Sequence, residues 1–232
     1  MLASGTAHAG PSLTVSMGEE EGSERVASTI QIVFLLTLLS MAPALILMVT
    51  SFTRIIIVLG FLRQAMSTQQ MPPNPVLIGL ALFLTFFVMS PVWTQIHQEA
   101  VRPYLNGEIT PGDALKNGVA PLRGFMASQT REKDMALFQG LSKREKPANL
   151  GEVPLEVLIP SFMISELRKA FQMGFVLYLP FLIIDMVVAS VLMSMGMLML
   201  PPVMISLPFK ILLFVLADGW HLVVRSIVTS FF

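Results

Sequence analysis

Four long apolar blocks, separated by prolines and by one charged stretch, constrain this chain of 232 residues more than any other feature. They run over 30–62, 76–93, 171–200 and 203–232. A helix needs about 20 largely apolar residues to cross a bilayer, so the expected class is all-α, built from helical hairpins of the integral-membrane type. The first block is too long for one simple span. It contains Pro43 and is interrupted by Thr50-Ser51-Phe52-Thr53-Arg54, so a hairpin or a helix bent near Thr50 is expected. Met71-Pro72-Pro73-Asn74-Pro75 marks the next connection, and Trp93 stands where interfacial aromatics sit. Between the third and fourth blocks, Gly196 and Pro201-Pro202 force a tight turn.

Composition agrees with that reading and removes several function classes. Hydrophobic residues make up 54% of the chain and charged residues 13%, and the mean hydropathy is +0.72, outside the balance of a water-solvated domain. Basic and acidic residues number 15 each, so no bulk field draws the chain to nucleic acid. The absence of cysteine excludes disulfides, thiolate metal sites and a cysteine nucleophile. His8, His97 and His221 lack metal-ligand spacing. No Gly-x-Gly-Asp, His-Glu-x-x-His, nucleophile-elbow or P-loop word is present. No enzyme activity and no cofactor are expected, and energy for any transport must come from partners or from the membrane gradient.

Charge divides the chain into four parts. Residues 1–28 read as a flexible N-terminus in which Ala7-His8-Ala9-Gly10 resembles the remnant of a signal-peptidase site. Residues 29–93 form the first hairpin or hairpins, 94–169 a charged, water-exposed helical region, and 170–232 a second hairpin. Within the charged region Thr110-Pro111-Gly112-Asp113 predicts a helix start. Leu122, Phe125, Met126 and Gln129, then Met135, Phe138 and Leu141, recur at helical spacing, while 117–118 and 143–151 read as loops. Arg54 and Arg63, with no acid nearby, favour a cytoplasmic connection and hence a periplasmic charged region.

Arg54, Asp185, Lys210 and Asp218 stand inside apolar blocks, the last of which also contains Arg225. Such residues pair or line a wet cavity, because a bare charge in hydrocarbon costs about 3 kcal/mol on insertion scales. Asp185 and Lys210 flank the Gly196–Pro202 turn at similar distances, so they can meet across a hairpin as a structural ion pair. The competing reading is a proton relay in a small ion-coupled transporter. Arg54 and Asp218 are the other expected buried charges. The turn itself carries Met193-Ser194-Met195-Gly196-Met197-Leu198-Met199-Leu200. Methionine there either fills irregular gaps in a bundle or closes around a changing occupant of a pore.

Several long words identify the chain as a member of the FliP family. They include Thr50-Ser51-Phe52-Thr53-Arg54-Ile55-Ile56-Ile57-Val58, Gly79-Leu80-Ala81-Leu82-Phe83-Leu84-Thr85-Phe86-Phe87, and Met89-Ser90-Pro91. Gln129-Thr130-Arg131-Glu132, Pro180-Phe181-Leu182-Ile183-Ile184-Asp185 and Leu207-Pro208-Phe209-Lys210 continue the resemblance, which ends in Phe214-Val215-Leu216-Ala217-Asp218-Gly219-Trp220. The resemblance implies a core subunit of the flagellar type III protein export gate in the bacterial inner membrane, raised toward the periplasm. It implies assembly of several copies, five in number, with FliQ and FliR homologues and other export-apparatus proteins into a helical oligomeric channel that passes unfolded substrates. It also implies a methionine gasket at Met197, Leu198 and Met199, where this sequence has leucine in place of a third methionine.

Overall fold

The computed structural model describes residues 22–68, 71–142, 153–197 and 200–232, and among these every regular element is helical. The Ala7-His8-Ala9-Gly10 pattern and the loop expected over 143–151 lie outside the described residues. The described residues up to Pro43 belong to one unit and those from Ala44 to Phe232 to a second. Helix α1, Gly22–Met48, starts in the first unit. Its stretch Ser28–Met48 is long and apolar enough to cross a membrane, with Ile30, Phe34 and Leu39 exposed. Residues 22–28, expected in a flexible segment, are helical instead. Ser23-Glu24-Arg25-Val26-Ala27 contains no helix breaker, and extending a formed helix is far cheaper than starting one.

The second unit is organised around α2, Phe52–Ala65, and the 40-residue α8, Leu155–Ser194. Val49-Thr50-Ser51 separates α1 from α2, so the helix break falls at the polar run. Arg54 meets Glu166, and Phe61 meets Phe171 edge-on with ring centroids 5.1 Å apart. Residue numbers rise together along both helices, which therefore run parallel. Their close approach depends on Gly174: a Cβ there would lie 2.5 Å from the Phe61 ring and 2.9 Å from its Cβ. Ile55, Val58, Leu59 and Leu62 of α2 are fully or almost fully buried in this seam. The third apolar block was expected to begin near Phe171. The helix begins at Leu155 and runs unbroken through Lys169-Ala170, because Leu155, Val157, Leu158 and Phe162 supply an apolar face to its first turns.

Helix α3, Asn74–Val88, has a proline in its first turn and buries Leu77 and Ala81 in the same core. Arg63 reaches Asn74 across the connection at 2.5 Å. After Met89 the chain bends by 57° into α4, Ser90–Ile96, then a π-helical turn, His97–Val101, and the short α5, Arg102–Leu105. Trp93, placed by the sequence at an interface, is half-buried, and its indole N–H has no partner among the described residues. Helix α6, Pro111–Gln129, starts where the sequence predicts, with Thr110 Oγ1 accepting from the Asp113 amide at 3.2 Å.

The loop expected at 117–118 is absent; both residues lie inside α6. Pro103 has no N–H to offer the carbonyl of Glu99 one turn earlier. Asn117 Nδ2 donates to that carbonyl at 3.2 Å, and Gly118 faces the Ala100 methyl. The loop-forming residue types are there because α6 packs against the π-helical turn. The charged region as a whole is not simply water-exposed. With α7, Glu132–Ser142, it folds a small core of Met126, Met135, Val153, Val157, Leu158 and Phe162.

The fourth apolar block is also broken. Helix α9, Pro202–Leu216, turns by 67° into α10, Gly219–Thr229, at Asp218, whose φ of 50° is left-handed. The four blocks thus become two continuous helices long enough to cross a membrane, Ser28–Met48 and Leu155–Ser194, and two bent pairs that reach that length only jointly. Large apolar side chains stay exposed on α3, α8 and α9, among them Phe83, Phe86, Phe175, Val187 and Leu212. Gly174→Ala should lower the melting temperature of the detergent-solubilised protein through an overpacking cost of about 1–3 kcal/mol. Phe61→Ala in the same chain should recover part of that loss. Equal melting of wild type and Gly174→Ala would show that the seam is looser than described.

Candidate functional site

Two buried polar clusters sit at the ends of α2, and a methionine-rich turn lies beyond the second. At the N-terminal end, Arg54 is fully buried, as is Glu166 of α8. Arg54 Nε donates to Glu166 Oε2 at 2.8 Å, and Nη2 donates to Oε1, so the pair is bidentate. Nη1 donates to the carbonyl and hydroxyl of Ser230, each at 2.9 Å, and Nη2 also reaches Gln129 Oε1 at 2.9 Å. The guanidinium carbon lies 3.7 Å from the centre of the Phe231 ring, a stacked geometry that suits arginine and not lysine. Gln129 Nε2 donates to the Phe231 carbonyl at 3.0 Å, and Lys169 Nζ donates to the Gln129 carbonyl at 2.9 Å. Asp134 of α7 joins the neighbourhood by accepting from Ser165 Oγ at 2.7 Å. Helices α2, α6, α7 and α8 and the end of α10 are thereby tied together.

At the C-terminal end of α2, Lys210 of α9 is fully buried. Its three ammonium hydrogens have three acceptors: Asp185 Oδ2 at 2.6 Å, Ser67 Oγ at 2.6 Å and the Ala65 carbonyl at 3.2 Å. Asp185 Oδ1 accepts from Ser206 Oγ at 2.5 Å. Lys210 therefore satisfies a free carbonyl of the last turn of α2 and places positive charge at that helix's negative end. The sequence suggested a contact between two arms of one hairpin; the structure adds α2 as a third element. Ser67, with φ of 58°, turns the chain away from α2 at this point.

Asp218 departs from expectation. It was anticipated as a buried charge, yet its side chain is exposed and makes no capping bond. It is the corner residue between α9 and α10, and aspartate tolerates the left-handed backbone the corner requires. The methionine turn begins where α8 ends. Gly196, at φ 75°, closes the helix with its amide bonded to the Met193 carbonyl and the Met197 amide bonded to the Leu192 carbonyl, a Schellman arrangement. Met193, Met195 and Met197 are all exposed. Leu198 and Met199 lie outside the described residues. No group of three or more His, Asp or Glu able to hold a metal occurs among the described residues.

A sequence profile of the FliP family matches residues 35–227. The chain belongs to the FliP family. Among its relatives, flagellar biosynthetic protein FliP of Bacillus subtilis is 56% identical over 208 residues, covering 90% of this chain and 94% of that protein. The Caulobacter vibrioides protein of the same name is 51% identical over 94% of this chain and 82% of its own length. That of Aquifex aeolicus is 48% identical over 90% of this chain and 89% of its own. In this FliP-family chain the words quoted from the sequence fall on the two clusters: Arg54 and Gln129 in one, Asp185 and Lys210 in the other.

Sequence reasoning missed Glu166, Gln129 and Ser230 as partners of Arg54, and Lys169 as a donor to Gln129. One signal was available, since a buried arginine demands an acid, but the acid lies in the stretch assigned to the water-exposed region. Removing one member of a buried pair leaves an uncompensated charge, costing about 3–5 kcal/mol, whereas replacing both by apolar residues costs much less. Glu166→Leu or Arg54→Met alone should therefore reduce the yield of folded, monodisperse protein more than the double replacement does. Additive losses in that double-mutant cycle would contradict the pairing.

Proposed function

We propose that this chain is a core channel subunit of the flagellar type III protein export gate, passing unfolded substrates across the bacterial inner membrane. Family membership supports a part in flagellar export. The observation that carries the finer reading is the tip of the α8–α9 hairpin, where Met193, Met195, Met197 and Met204 present exposed thioether chains. Methionine is unbranched and flexible and can conform to differing surfaces, which suits a seal that must close after irregular chains have passed. Met197, Leu198 and Met199 form that gasket in this reading.

Extensive exposed apolar surface on α3, α8 and α9 supports burial against further subunits as well as lipid. The partners proposed are several further copies of this chain, five in all, with FliQ and FliR homologues and other export-apparatus proteins. In that assembly the charged helical region faces the periplasm. Asp185 and Lys210 are read as a structural pair that fixes α8, α9 and α2 in register. All three donors of Lys210 are taken by acceptors, so nothing in the arrangement favours a proton relay, and no catalysis is proposed.

Native mass spectrometry of the complex co-expressed with FliQ and FliR homologues should give one discrete hetero-oligomer containing several copies of this chain. A stable monomer or dimer indifferent to those partners would overturn the reading. In cells carrying the assembled gate, Met197→Ala with Met199→Ala should raise leakage of small solutes across the inner membrane without loss of assembly. Unchanged permeability would remove the gasket from the account.

A further inference from the structure

The corner between α9 and α10 leaves two opposite charges unsatisfied on one apolar surface. Asp218 and Arg225 are both exposed, and among the described residues neither side chain has a hydrogen bond or ion pair. Seven residues separate them, about 10 Å along a helix. Both belong to a bent helix pair apolar enough to enter a membrane, where a bare charge is costly and is found paired or facing water. Satisfaction must come from outside the single chain.

The surfaces around the two charges are opposite in sign, and both are flanked by apolar side chains. Asp218 sits beside a protruding apolar edge, Val215 and Leu216, which are 68% and 76% exposed. Arg225 and His221 stand over a cavity floored by Phe87, Trp220, Val224 and Val228. A carboxylate with an apolar flank thus adjoins an apolar hollow whose lining includes a cationic and a hydrogen-bonding side chain. A neighbouring copy that brings its corner to this hollow sets opposite charges against each other and apolar surface against apolar surface. An anionic lipid would neutralise Arg225 and leave Asp218 bare; a second copy satisfies both.

We infer that the Asp218 corner of one copy docks in the Phe87–Arg225 hollow of the next, with Asp218 paired to Arg225 across the interface. This rests on the multi-copy reading proposed above and assigns the residues that join neighbouring copies. Because the chain has no cysteine, single cysteines report cleanly. Copies carrying Asp218→Cys and copies carrying Arg225→Cys, each with its own affinity tag, are co-expressed with FliQ and FliR homologues and treated with a short bifunctional maleimide. A cross-linked product bearing both tags is expected, and none from either variant alone.

Arg225→Glu should reduce recovery of the multi-copy complex by roughly tenfold or more, since it sets like charges face to face. Asp218→Asn in the same chain, which keeps a residue tolerant of the left-handed corner, should restore part of it. A multi-copy complex without the mixed product overturns the contact alone. So do phospholipid adducts in native mass spectra that vanish with Arg225→Gln while assembly persists. Failure to obtain any multi-copy complex from the unaltered chain overturns the contact and the proposed function together.

Discussion

Burying Arg54 and Glu166 against each other is what allows α2 to lie along α8. Taking two charges out of water costs several kcal/mol per ion unless geometry is good and the remaining donors are met. Here every guanidinium nitrogen is bonded: Nε and Nη2 to the Glu166 carboxylate, Nη2 also to Gln129, and Nη1 to Ser230. The acceptors come from helices that are 75 to 176 residues away in sequence. The arginine can be satisfied only when α6, α8 and the end of α10 are all in place, so the pair acts as a check on the whole fold. An apolar substitute could fill the same volume but could not demand those three partners.

The second cluster completes the arrangement at the other end of the same helix. Lys210 holds the last turn of α2, the middle of α8 and the start of the α8–α9 hairpin's return arm. Between the two clusters the α2–α8 seam is apolar and close, with Gly174 admitting the Phe61 ring. Polar contacts fix register at both ends and dispersion fills the middle. Beyond the Lys210 cluster, α8 continues for about three turns before Gly196, so the methionine tip is carried on a helix whose base is fixed and whose end has no tertiary polar contact among the described residues.

Much of this was legible from residue types. Pro and Gly placed the end of α8 and the starts of α3 and α9, and Thr110 and Asp113 placed the start of α6, while apolar length indicated α8 and α9 without giving the true start of α8 or the break after α9. What failed did so for identifiable reasons. Asn117 and Gly118 looked like a loop because their partner is the carbonyl freed by Pro103, a tertiary fact invisible to local propensity. Glu166 and Asp134 looked solvated because local charge density says nothing about which face a helix buries. Asp218 looked buried because hydropathy averages over a block and does not see a corner. The Asp185–Lys210 contact was within reach because both residues flank one turn; the Arg54 partners were not, since they come from α6, α8 and the end of α10.

In the assembly proposed here the methionine tips of neighbouring copies converge while the charged helical region lies outside. Pulsed electron paramagnetic resonance on the assembled complex measures this directly, because each engineered cysteine is the only one in its chain. Spin labels at Met197→Cys should give inter-copy distances much shorter than labels at Leu141→Cys, whose side chain is exposed on α7. Distances at residue 197 as long as those at residue 141 would contradict convergence of the tips on a common conduit.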